Sequence, residues 1–232
     1  MIAEEDKIGF TSFLSEYVSE HKRKLIELVL AKRTRFLTVV LEDMYHSHNA
    51  SAVVRSCDCF GIQDVHVIED RNKYNVNHYV VQGSAKWIDI NKYTGEANNK
   101  VSCFTSLKAS GYRLVGTSPD SGSMCLQDYK LEGKTALIFG NEETGLSNEA
   151  KDMIDDMIHI PMSGFTESLN VSVSAAICLH DLTSKLLSSE YNWQLTDNEK
   201  DEIRLDWYSK IVRKSDALER EFLRIKENTN SN

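Results

Sequence analysis

Five short apolar runs recur along the chain: FLTVVLE (36–42), VHVIE (65–69), YRLVGTS (112–118), TALIFG (135–140) and IHIPM (158–162). Each is rich in β-branched residues and most lack a polar alternation, so they read as strands buried on both faces. Helical patterns fill the intervals. Residues 49–60 are predicted as a helix ending at Gly61 and 102–110 as one ending at Gly111, each glycine suiting the position just past a helix end. Further helices are expected near 147–156 and over 169–188. Strands alternating with helices in this way predict an α/β fold around a mostly parallel sheet.

Both ends depart from that alternation. Phe10, Phe13, Leu14, Tyr17, Val18, Leu25, Leu28 and Val29 follow helical spacing, so one amphipathic helix is predicted over 10–31. Residues 196–226 are highly charged with sparse apolar anchors, Ile203, Trp207, Ile211 and Leu218, and read as C-terminal helices packed on the domain or on a partner chain. Only two prolines occur and no linker or repeat is evident, so the 232 residues read as one α/β domain with helical extensions at both termini.

No apolar run approaches the ~20 residues that span a bilayer, and the acidic start MIAEEDKIGF lacks the form of a signal peptide. The five cysteines are odd in number and scattered, without a C-x-x-C pair, so reduced thiols and no metal are expected in a cytoplasmic protein with no membrane partner. The net charge of −8 is unfavourable for a nucleic-acid binder, but it is uneven. Residues 21–35 carry Lys22, Arg23, Lys24, Lys32, Arg33 and Arg35 against Glu27, a local +5 that leaves −13 on the rest. Such a patch can hold phosphate, or it can be a solvated helix face.

Three segments carry polar groups where an α/β sheet binds ligands. In HNASAVVRSCDCFG (48–61), Asn49 stands where a helix should begin and could cap it, with Arg55 nearly two turns on. In FGNEETGLS (139–147), a strand runs into a glycine-containing turn at the carboxyl edge of the sheet, where the backbone can approach a ligand. In IPMSGFTESLNVSVSAAI (160–177), a strand leads through Ser163, Gly164, Thr166, Glu167, Ser168 and Asn170 into a small-residue helix that Ser168 or Glu167 could cap. The glycine spacing fits neither a dinucleotide fingerprint nor a Walker A loop.

Taken together, the three segments resemble the three motifs of the SPOUT methyltransferases, and within them the TrmH-type tRNA ribose 2′-O-methyltransferases. The likeness runs from about residue 20 to 190 and rests on Asn49 and Arg55, on Gly140, Glu142 and Gly145, and on Ser168, Leu169, Asn170, Val171 and Ser172. The resemblance implies a SPOUT-type parallel sheet with a C-terminal trefoil knot over residues ~112–188, an exception to the rule that chains do not thread themselves. It implies three parts: 1–35 as an N-terminal helical RNA-binding extension, 36–190 as the methyltransferase domain and 191–232 as a C-terminal helical tail. It also implies S-adenosylmethionine as cofactor, held near Thr117, Gly140, Ile160 and Leu169, and a catalytic set of Arg55, Asn49, Glu142, Ser168 and Asn170. Arg33 and Arg35 would hold RNA phosphate. The partners would be tRNA, with D-loop guanosine 18 as target, and a second copy of the chain in a homodimer whose sites borrow groups from each other.

Arg55 poses a chemical question, since a guanidinium with a pKa above ~12 does not readily accept a proton. Either an RNA phosphate assists it in taking the hydroxyl proton, or it stays charged and stabilises the developing alkoxide. His48 adjoins Asn49, yet no histidine stands where a base is expected. Three other readings compete: an rRNA ribose methyltransferase of the same superfamily, a non-catalytic RNA-binding module on the same scaffold, and a hydrolase using Ser168. The short stretch before the first strand favours the TrmH form. Intact motifs disfavour the module, and the lack of a His–acid partner disfavours the hydrolase.

Overall fold

A computed structural model describes residues 2–75, 77–81, 83–95, 98–120 and 122–230. The apolar runs become strands: β1 (Leu37–Glu42), β2 (Asp64–Ile68), β4 (Arg113–Thr117), β6 (Thr135–Phe139) and β7 (Asp156–His159), joined by β3 (Asp89–Tyr93) and a two-residue β5 (Met124–Cys125). They form one sheet in the order β3-β2-β1-β6-β4-β7-β5, and every pairing is parallel. The most apolar strands, β1 and β6, lie side by side at the centre, with Val39 opposite both Leu137 and Val65.

Side chains alternate across β1, which fixes a core on each face. Leu37, Val39 and Leu41 pack with Val53, Val54 and Cys57 of helix α3 (Ser47–Cys59) and with Leu179 and Leu182 of helix α7 (Val171–Leu187). Val40 turns the other way, among Phe104 and Leu107 of helix α5 (Asn99–Ala109) and Ala150 of helix α6 (Asn148–Met153). The short helix α4 is His78–Val81. Each fully buried aliphatic side chain stabilises this arrangement by about 1.5–3 kcal/mol. Gly61 and Gly111 take φ of 76° and 81° just past α3 and α5, as glycines ending helices do.

The chain divides into two compact units: Thr34–Trp193, which contains the whole sheet, and Met1–Arg33 together with Gln194–Asn232. In the second unit the expected helix over 10–31 is two helices, α1 (Lys7–Ser15) and α2 (Glu20–Leu30). Ser19 breaks them apart by capping α2, its hydroxyl accepting from the Lys22 amide. The restart shifts the phase of the apolar face. Ile26 and Leu30 are buried, whereas Leu25 and Leu28, expected inside, are exposed. The tail forms α8 (Asp197–Ile211) and α9 (Ser215–Asn230). Within this unit Phe222 meets Phe10 and Phe13 with ring centroids 5.5 and 5.7 Å apart, and Glu27 holds Arg204 at 2.6 and 2.8 Å. Trp207 is buried here, so it is no anchor awaiting a partner chain.

Candidate active site

Because all seven strands point one way, their carboxyl ends share an edge, and the loops after β1, β4, β6 and β7 meet there. They enclose a cavity of about 680 Å³, within the range of small-molecule sites. Asn49, Thr117, Gly140, Glu142, Ile160, Ser168, Leu169 and Asn170 all line it.

Glu142 organises the cavity wall. Its carboxylate accepts from the backbone amides of Tyr45 (2.9 Å) and His46 (3.2 Å) and from the Asn49 side chain (2.9 Å). A carboxylate only accepts, so Asn49 must turn its NH2 to Glu142 and its carbonyl outward. That carbonyl accepts from Asn170 Nδ2 at 3.2 Å, and Asn170 Oδ1 in turn accepts from the Ser172 amide and hydroxyl. The three motif segments are thus joined in one polarised chain of hydrogen bonds. Burial alone would raise the Glu142 carboxyl, but the bonds from Asn49 and from nearby backbone amides outweigh it and hold it below the usual carboxylate range.

Two capping expectations fail. Helix α3 begins at Ser47, ahead of Asn49, which leaves the Asn49 side chain to the relay. Helix α7 is capped by Asn170, not by Ser168 or Glu167, because Asn170 Oδ1 reaches the Ser172 amide at 2.9 Å. Ser168 is exposed on the cavity wall.

The loop after β6 has no room for side chains at its neck. A Cβ on Gly140 would lie 2.3 Å from the Gly145 carbonyl carbon and 2.4 Å from the Leu146 nitrogen, both backbone. Asn141 and Gly145 close the loop by exchanging backbone hydrogen bonds, and the Asn141 side chain donates to the Asp43 carbonyl at 2.8 Å. Ser147, which follows, donates through its amide and hydroxyl to Glu42 at 3.2 and 2.5 Å. Glu42 is buried and paired with buried Lys100 at 2.8 Å.

Arg55 stands apart. It is exposed on α3, outside the cavity lining, with Nη1 3.5 Å from the Val80 carbonyl. The arginines expected to hold phosphate are occupied by the fold. Arg33 is 1% exposed, its guanidinium 5.4 Å from the centroid of the Trp207 ring. Arg35 bridges β2 and β3, reaching Asp64 at 2.8 Å and Asp89 at 2.9 Å. Both guanidinium groups are thus engaged within the fold. Sequence reasoning missed His46 and His159, which line the cavity, and Asn141, which fixes its loop. Only Asn141 left a signal, its place within the glycine-bounded turn. Among the described residues, no group of three or more His, Cys, Asp or Glu is arranged to hold a metal, and no helix is long and apolar enough to cross a membrane.

Comparison with known proteins agrees with this geometry. A tRNA (guanosine(18)-2'-O)-methyltransferase of Borreliella burgdorferi is 39% identical over 216 residues, spanning 93% of this chain and 97% of that protein. The TrmH/SpoU tRNA modifying enzyme of A. aeolicus has a TM-score of 0.74 at 31% identity, over 84% of this chain and 98% of that one. The SpoU methyltransferase AviRb of Streptomyces viridochromogenes, solved in complex with AdoMet, has a TM-score of 0.59 at 25% identity, over 69% of this chain and 64% of that one. Residues 36–180, which hold the sheet, the relay and the cavity, match the model of the SpoU rRNA Methylase family, and the chain belongs to that family.

Proposed function

We propose that this chain is an S-adenosylmethionine-dependent methyltransferase acting on the ribose 2′-hydroxyl of D-loop guanosine 18 in tRNA. The observation that carries the reading is the convergence of the three motif segments on one cavity through Glu142, Asn49 and Asn170. The cavity suits the cofactor. Thr117 and Gly140 bring strand-end backbone to it, and Ile160 and Leu169 give it apolar walls. When bound there, S-adenosylmethionine supplies the activated methyl group.

The protein's own residues position and stabilise. Glu142, Asn49 and Asn170 hold the loops in register, and Ser168 presents a hydroxyl at the wall. Such positioning is worth several kcal/mol in a bimolecular transfer. Arg55 remains a cation and stabilises the developing alkoxide beside an RNA phosphate. Because it lies outside the cavity of its own chain, it serves the cavity of a second copy in a homodimer. A shallow cleft supports this pairing. It is lined by small residues of α3 and α7 (Ala52, Ser56, Ser172, Ala176) beside Val173 and Ile177, both exposed. We further assign residues ~112–188 to a trefoil knot, 36–190 to the catalytic domain, 1–35 to a helical RNA-binding extension and 191–232 to a C-terminal helical tail.

Incubation with methyl-labelled cofactor and tRNA, followed by nuclease digestion and mass spectrometry, should place one 2′-O-methyl group on guanosine 18. Label on rRNA alone, or on a base, would overturn the reading. Mixing the inactive Arg55→Ala and Asn49→Ala chains should restore part of the activity, because some dimers then carry one intact site. No recovery would show that each site is complete within one chain.

A further inference from the structure

The loop that follows β2 does not belong to any of the three motif segments, yet it is tied to them. Asp43, directly after β1, takes φ of 48°, a left-handed conformation that costs a non-glycine residue about 1–3 kcal/mol. That conformation turns its carboxylate toward the β2 loop, where Oδ1 accepts from the amides of Arg71 (2.8 Å) and Asn72 (2.7 Å). Its carbonyl accepts two side chains at once, Asn72 at 3.1 Å and Asn141 of the Glu142 loop at 2.8 Å. A single strained residue therefore fastens the β2 loop and the loop after β6 to the same point. The far end of the β2 loop is fixed as well. The Tyr74 amide donates to Glu69 at 3.0 Å, and Lys92 donates to the Tyr74 carbonyl at 2.7 Å.

Held this way, the loop has its charges sorted. Both of its acids are engaged: buried Glu69 pairs with Lys92 at 2.9 Å, and Asp70 lies 3.6 Å from Lys100 and accepts from Asn99. Arg71 and Lys73 face solvent, and neither is paired with an acid among the described residues.

We infer that Arg71 and Lys73 form a pre-set phosphate clamp for the RNA strand carrying the target nucleotide, with Asp43 as its positioning residue. This rests on the RNA-methyltransferase reading above. It also explains how an acidic chain grips a polyanion: cations on a loop tied through Asp43 to the cavity's Asn141 act locally, whatever the net charge.

The test is tRNA binding by fluorescence anisotropy across a salt series, run beside methylation kinetics. Arg71→Ala/Lys73→Ala should raise the KM for tRNA at least tenfold and flatten the log–log salt slope by about 1–2. Its affinity for S-adenosylmethionine should stay within twofold, which shows an intact fold. Arg71→Lys/Lys73→Arg should keep the wild-type slope. Asp43→Gly suits the same φ but lacks the carboxylate, so the KM for tRNA should rise several-fold with both cations present. An unchanged slope and KM in the double alanine variant, with the wild type methylating tRNA, would overturn the clamp and leave the function standing. An unchanged KM in Asp43→Gly would overturn the positioning role. A wild-type chain that neither binds nor methylates tRNA would overturn both readings.

Discussion

Asn49 is the middle of a one-way relay, donating to Glu142 and accepting from Asn170. Its removal strands a partner on each side, so Asn49→Ala should lower stability by about 1–3 kcal/mol. Methylation should fall far more steeply, because both site loops lose register. Thermal unfolding and single-turnover rates measure the two effects, and equal losses in both would argue for a purely structural asparagine. Glu142 gives a pH signature. Its folded carboxyl lies below the ordinary value of about 4.3, so its contribution is complete above that pH and fades as pH falls through the depressed folded value. Affinity for S-adenosylmethionine should therefore stay level from pH 8 to 5 and decline only in stronger acid. A decline already near pH 6 would refute the assignment to Glu142. The identities of these residues were legible in the chain, but their directions were not. Asn49 reads as a cap until α3 is seen to start two residues earlier, and Arg33 reads as a phosphate ligand until Trp207 is seen covering it.

Among the elements, the neck of the loop after β6 and its buried ion pair are the sharpest points of failure. Gly140→Ala places a Cβ inside backbone contact distance, so the loop must open. The variant should lose at least tenfold in cofactor affinity, about 1.4 kcal/mol. Calorimetry showing a wild-type Kd would refute the loop's role. Lys100→Met leaves Glu42 buried without its cation and should cost about 3–5 kcal/mol, while adding Glu42→Gln should recover much of that in denaturant unfolding. No recovery in the double variant would mean that Lys100 stabilises by some other route. Elements were legible where burial on both faces wrote an unbroken apolar run, as in β1 and β6. Strand β3 (DINKY) sits at a sheet edge and carries polar residues, and β5 is two residues held only by β7. Neither leaves a periodic trace. The break at Ser19 escaped notice because apolar residues on either side of it fall at helical spacing by chance.

At the scale of the whole chain, the sheet and both of its cores lie within residues 34–193. A fragment of those residues should fold and bind S-adenosylmethionine within a few-fold of the full chain, while its KM for tRNA rises. A fragment with an unaltered KM would remove the RNA-binding role from the N-terminal extension. The parallel sheet, finally, sets a clock on synthesis. Val39 must wait for Leu137, roughly a hundred residues later, before the central strand pair can close. At roughly 5–20 residues per second that is an interval of about 5–20 s during which β1 exists without β6. The nascent chain spends that time with one edge of its most apolar strand open, β2 alone beside it, exposed to chaperones and to misassociation, and no cofactor can rescue it, since helix α7 and the last loop of the cavity emerge later still.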